Sequence, residues 1–226
     1  LPQWDFNTYR WILRQLLTNG VEGKVQLRPT DLISILTYML DYLRTMNTGN
    51  KAKSSLLDIA RSLLFEFFDR LAEIQPVQWK KLDRHSPSVP EPFSGEKTSL
   101  LIDATGFAPE GIDPHRSLAA LLSEAYRKGW RRFYLYRVNG QRLISTAVMG
   151  NGDTDDVEME VYGTPGEYFG AFMQGGLIRL HGNAQNFCAM GMHHGSLQIF
   201  GNAGKVCGYA SKGGEVFILG NIVDRA

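Results

Sequence analysis

Cysteine is scarce: the 226 residues hold two, Cys188 and Cys207, beside five histidines, and neither a C-x-x-C nor an H-x-x-x-H spacing occurs. That excludes a zinc framework as the source of the fold. Long hydrophobic runs are missing as well. No apolar stretch approaches the roughly 20 residues that cross a bilayer, and Leu1 to Asp5 lack the basic start and apolar continuation of a secretion signal. An excess of charge of one sign is also lacking. With 24 Lys+Arg against 23 Asp+Glu, the net charge is +1, so the basic surface on which a dedicated nucleic-acid binder relies is not there. These absences lead us to expect a cytoplasmic chain with no membrane span and no nucleic-acid partner. It is long enough to bury a core without staples.

Glycine is scarce only in part of the chain. Residues 1–94 contain three (Gly20, Gly23, Gly49), and residues 95–226 contain the other 21. In the glycine-poor part, Phe6, Tyr9, Leu13, Leu16 and Leu17 have helical spacing, which predicts a helix over 4–17 stopped by Thr18, Asn19 and Gly20. Arg28 to Asp31 reads as a start signal for a second helix over 32–46. A third, over 55–74, carries Leu56, Ile59, Leu63, Leu64, Phe67, Phe68 and Leu71 on a stripe wider than one buried face needs. The excess predicts packing on more than one side and marks residues 1–75 as a helical docking unit. Residues 76–98, with Pro76, Pro87, Pro90 and Pro92, read as a Pro-rich linker.

Residues 99–226 begin with a strand–helix–strand leader. Ser99 to Asp103 is a buried-strand pattern, Asp113 and Pro114 read as the start of a helix that Gly129 ends, and Arg132 to Tyr136 is a second strand. Asn139 and Gly140 suggest a tight turn into a strand from Arg142 to Ala147. Beyond it the sequence repeats every 19 residues. Gly163, Gly182, Gly201 and Gly220 form one column, followed by Asn183, Asn202 and Asn221; Gly176, Gly195 and Gly214 form another, and Gly170, Ala189 and Gly208 a third. Ile178 and Leu180, Leu197 and Ile199, and Val216 and Ile218 recur between them, matched upstream by Met159 and Val161. One such strand cannot bury its apolar face alone, but stacked copies can. The expected fold is therefore a right-handed β-solenoid (parallel β-helix), all-β apart from its αβ leader, with an all-α unit before it. Glycines are expected at its corners, where the chain needs positive φ or close backbone approach, and an amide ladder along its Asn column.

The segments Gly163 to Met173, Gly182 to Met192 and Gly201 to Ala210, with Leu101 to Thr105 and Val138 to Arg142 before them, resemble the G-x-G-x-G repeat domain at the C-terminal end of the glutamate synthase large subunit. The stand-alone version of that domain is the nearest likeness, and one subunit of formylmethanofuran dehydrogenase and its bacterial relatives carries the same repeat. The resemblance implies a right-handed β-helix that packs and spaces catalytic domains, with no catalytic, metal or cofactor site of its own. FMN and iron–sulfur clusters would sit in partner subunits of an oxidoreductase or amidotransferase complex. The first 95 residues have no counterpart in that family. The last copy stops just after Gly220 and Asn221, so a continuing chain or a partner is expected to cover an exposed sheet edge.

Several residue groups invite sharper readings. Cys188 and Cys207 share one repeat position and could be a redox or metal pair; Phe169 in the same column favours two small interior residues. His193 and His194, with His181, could be ligands or proton carriers, but their columns hold glycine, Phe200 and Leu219, which favours solvent or partner contact. Arg127, Lys128, Arg131, Arg132 and Arg137 form a basic cluster, and Asp153, Asp155, Asp156, Glu158 and Glu160 an acidic one. The basic cluster could grip a phosphate or a flavin nucleotide, or form a solvated face or a charge-complementary interface. The interface reading, on His193, His194, Arg127, Arg131 and Arg132, is preferred, because no phosphate loop is present. A polysaccharide hydrolase or lyase would need paired carboxylates on the repeat face; Glu167, Glu215 and Asp224 fall in no common column.

Overall fold

The computed structural model describes residues 5–21, 27–49, 51–93, 98–109, 117–146 and 157–223. The chain divides into two compact units, Leu1–Ile74 and Gln75–Ala226. Among the described residues no helix is long and apolar enough to cross a membrane.

The first unit is α1 (Phe6–Val21), α2 (Pro29–Thr45) and α3 (Lys53–Ile74). Helix α1 runs on through Thr18, Asn19 and Gly20, the residues expected to stop it. Each weak helix former costs at most about 1 kcal/mol, too little to outweigh the burial of Tyr9 and Leu13. Helix α2 starts at Pro29, whose missing N–H is harmless in a first turn; the Arg28 N–H donates to Asp31 Oδ2 at 3.0 Å. Helix α3 packs on both α1 and α2, and buries Leu56, Leu63, Leu64, Phe67, Phe68 and Leu71. The wide stripe thus finds partners on two sides. Most of its apolar surface is taken up in packing, and the exposed aromatics of this unit lie elsewhere: Phe6 and Trp11 on α1, and Tyr38 and Tyr42 on α2.

The second unit is a mixed α/β structure around one all-parallel, seven-stranded sheet whose strands follow chain order. They are β1 (Trp79–Leu82), β2 (Ser99–Asp103), β3 (Arg132–Asn139), β4 (Glu158–Thr164), β5 (Gln174–His181), β6 (His194–Ile199) and β7 (Glu215–Ile218); α4 (Leu118–Arg127) links β2 to β3. Segment 76–98 is not a free linker. Its β1 pairs with β2 from Trp79 opposite Ser99 to Leu82 opposite Ile102, and its prolines all lie outside β1, so no ladder N–H is lost. Farther on, Trp130 Nε1 donates to the Pro90 carbonyl at 2.7 Å and Lys128 Nζ to that of Val89 at 2.8 Å.

Two further expectations are corrected. Asp113 and Pro114 lie outside the described residues, and α4 is instead capped by Ser117, whose hydroxyl accepts the Ala120 N–H at 3.4 Å. Residues 142–146 form no strand, because Leu143 (φ 59°) and Ser145 (φ 61°) are left-handed. No hairpin forms at Gly140 either: its N–H donates to the Thr164 carbonyl at 2.8 Å, and β3 pairs in parallel with β4.

From β4 onward the pairing is set by the repeat. Glu158 lies opposite Leu177, Leu177 opposite Ser196, and Ser196 opposite Glu215, a constant offset of 19. The segments returning between strands keep the same offset, within a residue. Ala189 N donates to Phe169 O (2.9 Å), Gly208 N to Cys188 O (2.8 Å), Phe187 N to Lys205 O (2.9 Å) and Gly191 N to Tyr209 O (2.8 Å). The core lies between sheet and returning segments: Met159, Val161, Ile178, Leu180, Leu197 and Ile199 from the strands meet Phe169, Met173, Cys188, Met192 and Cys207.

Candidate functional site

The repeat columns are places of close backbone approach. At Gly182 and Gly201 a Cβ would collide with the carbonyl oxygen of the glycine one repeat earlier, and at Gly163 with that of Val138; at Gly220 it would lie 2.6 Å from the Gly201 oxygen. Of these four only Gly163 has a positive φ (138°), so contact, not conformation, explains the column. Gly176 (φ 80°), Gly195 (φ 91°) and Gly214 (φ 84°) need glycine for conformation as well. The β5–β6 register shifts by one residue between Gln174 and Leu177, where Gly176 lies.

The Asn column corrects the expected amide ladder. Asn183 Oδ1 accepts the Asn202 N–H and Asn202 Oδ1 accepts that of Asn221, each at 2.9 Å. Each rung is thus side chain to backbone. It satisfies an N–H that the turn away from the sheet would leave unpaired.

Left-handed residues also recur by repeat. Tyr168, Phe187 and Val206 have φ of 63°, 61° and 61°, Gly170, Ala189 and Gly208 have 66°, 53° and 73°, and Phe172, Gly191 and Ala210 have 56°, 63° and 56°. A left-handed residue other than glycine costs about 1–2 kcal/mol. Hydrogen bonds between repeats and stacking of Tyr168 on Phe187 (5.0 Å) compensate here.

The three histidines do not converge. His193 is half-buried, and His194 is exposed where it opens β6. His181 ends β5, and the parallel pairing sets it at the far end of the strands from the other two. Contrary to the expected solvent or partner contact, His181 is buried to 2% exposure. Its ring stacks between Tyr162 (4.6 Å) and Phe200 (5.0 Å). Its Nε2 is 2.7 Å from Glu160 Oε2, and Arg179 Nη1 is 2.7 Å from Glu160 Oε1. The sequence holds the signal, since Tyr162, His181 and Phe200 are spaced by 19 and so are Glu160 and Arg179.

Burial acts most strongly on Glu160, against ionisation, yet the hydrogen bonds and charges of His181 and Arg179 together hold its pKa below the ordinary 4.5. A lowered folded-state pKa stabilises the fold fully above the unfolded value, and that stabilisation is lost as pH falls through the folded one. The stability gap between wild type and Glu160→Gln is therefore expected to narrow as pH drops below 4.5. Urea midpoints of both proteins from neutral to acidic pH check this; a pH-independent gap would show that Glu160 is not held ionised.

The basic cluster keeps Arg127, Lys128, Arg131 and Arg132 at the end of α4 and the start of β3, and parts only from Arg137. Arg127 is exposed at the end of α4, where its Nε donates to the Ser123 carbonyl. Arg131 lies over the Tyr126 ring at 4.5 Å and donates to the Tyr126 and Trp130 carbonyls. Lys128 pairs with Glu91 (3.0 Å) and Glu124 (3.7 Å). Arg132 opens β3, whereas Arg137 lies near its other end, paired with Asp103 at 2.8 Å. Asp153, Asp155, Asp156 and Asp224 lie outside the described residues. Glu167 is bound to Arg142 at 2.8 Å, and Glu215 opens β7. Cys188 and Cys207 are both buried, with sulfur atoms 2.7 Å apart.

No curated protein and no solved structure matches the chain. Residues 137–226 match the family described as the GXGXG motif. That span contains the constant offset, the close-packed glycine columns and the Asn rungs: residues 137–226 are a GXGXG motif domain of the glutamate synthase C-terminal type.

Proposed function

We propose that residues 99–226 form a right-handed β-solenoid with an αβ leader, one coil per repeat, and that the chain is a non-catalytic scaffold subunit of a glutamate synthase-like oxidoreductase complex. The offset of 19, kept through β4 to β7 and followed by the hydrogen bonds of the returning segments, carries this reading. Parallel crossovers are right-handed in about 98% of cases, which gives the handedness. In this reading catalytic partner subunits hold the FMN and iron–sulfur clusters, and the chain positions them in the cytoplasm.

Two surfaces support a docking role. Among the described residues β7 is an edge strand; Phe217 within it and Leu219, Ile222 and Val223 after it are exposed. An apolar edge of this kind is a template for pairing with a further strand, of this protein or of a partner. In the helical unit Tyr38 and Tyr42 are exposed and stacked at 5.8 Å, an aromatic pair of the type that anchors interfaces. Replacing both by alanine is expected to weaken retention of the flavin-bearing partner by about tenfold or more. Flavin absorbance recovered with the tagged chain, wild type against variant, measures the change; equal recovery would remove α2 from the interface. The identity of the co-purifying proteins would separate a glutamate synthase-like assembly from membership of a formylmethanofuran dehydrogenase or a related formyltransferase/hydrolase complex.

A further inference from the structure

The geometry points to Cys188 and Cys207 as a reversible disulfide site that staples two successive repeats. Each cysteine lies between two left-handed residues: Phe187 (φ 61°) and Ala189 (φ 53°) flank the first, and Val206 (φ 61°) and Gly208 (φ 73°) the second. The backbone therefore follows the same path at both, and the Gly208 N–H donates to the Cys188 carbonyl at 2.8 Å. Neighbouring parallel segments run about 4.8 Å apart, inside the Cα separation of roughly 4.4–6.8 Å that a disulfide accepts. Both side chains enter the same interior, and their Sγ atoms are 2.7 Å apart. The chain has no third cysteine, so intramolecular oxidation has one product.

The oxidant is a small peroxide. Cys207, 5% exposed against 0% for Cys188, reacts first. Its sulfur attacks one peroxide oxygen, the O–O bond breaks, and a sulfenic acid and one water result. The Cys188 sulfur then attacks the sulfenic sulfur. The S–S bond forms, the S–O bond breaks, and the Cys188 proton leaves with the departing hydroxide as a second water. Two thiols and one hydrogen peroxide thus give one disulfide and two waters. The hydrogen bond with Cys207 and burial push the Cys188 thiol up, which leaves Cys207 as the first to react.

The test treats the folded chain with hydrogen peroxide, alkylates it in denaturant, and maps peptides by mass. The expected product lacks two hydrogen atoms, takes up no alkyl group, and yields one linked pair of peptides containing Cys188 and Cys207. Its melting temperature rises by roughly 5–10 °C, and a thiol reductant reverses both changes. Cys207→Ser abolishes the link and the rise; Cys207→Ala serves in its place if serine disturbs the interior. Three results would overturn the proposal: two alkylated cysteines after peroxide treatment, a link that forms only in unfolded chain, or a link without any rise in melting temperature.

Discussion

Gly182→Ala is expected to destabilise the second unit by about 3 kcal/mol or more, an unusually large effect for one added methyl. The added Cβ would be driven into the carbonyl oxygen of Gly163, and into its carbonyl carbon at 2.7 Å. Neither is a flexible side-chain end that can step aside. Backbone conformation is not the cause, because Gly182 has no positive φ. The matched control is Gly208→Ala, at φ 73° with nothing within 4 Å of an added Cβ. That variant meets only the conformational cost of about 1–2 kcal/mol. Urea unfolding of the two variants separates the causes. Equal losses would mean that the strands are not held at the spacing this corner requires.

Phe169→Ala is expected to cost about 3–5 kcal/mol, the usual range for emptying a buried aromatic site. Phe169 is fully buried and fills, in its repeat, the interior position that Cys188 and Cys207 fill in the next two. It faces a packed layer that includes Met159, Val161, Ile178 and Leu180. The residue one repeat on is a small cysteine, so no side chain of its own column can swing in to fill the space. Phe169→Leu is expected to recover more than half of the loss. If Phe169→Ala changed the urea midpoint by less than Gly208→Ala, this column would not be the interior of the stack.

What is legible in the sequence follows from stacking. When each repeat lies in register on the one before, a position meets the same surroundings in every copy, and the same contacts call for the same residue type. Gly163, Gly182, Gly201 and Gly220 are visible for this reason, as are the alternating apolar residues of β5 to β7. The left-handed positions are less so. Tyr168, Phe187 and Val206 adopt φ of 63°, 61° and 61° without glycine; Tyr168 and Phe187 are held there by donating to the Asn186 and Lys205 carbonyls of the next repeat. Leu143 and Ser145 follow Asn139 and Gly140 in a run that reads as a strand beyond a tight turn, and only their left-handed backbone shows that it is none. Strand β1 is masked by the prolines around it, although none interrupts Trp79–Leu82. The Glu160, Arg179 and His181 group is within reach of the column alignment. It escapes a reading by residue type because histidine in a repeat suggests an exposed corner, not a ring packed between Tyr162 and Phe200.

The scaffold account implies a division of labour. The repeat and the edge at β7 present surface, the aromatic face of α2 supplies anchors, and redox catalysis belongs to partner subunits. The measurement that tests this most directly is sedimentation of the chain purified through a tag from its native cell, followed by both protein and cofactor absorbance. The account predicts that the chain moves as part of a larger assembly with flavin and iron–sulfur absorbance in the same boundary. A stable monomer whose boundary carries neither absorbance would contradict it.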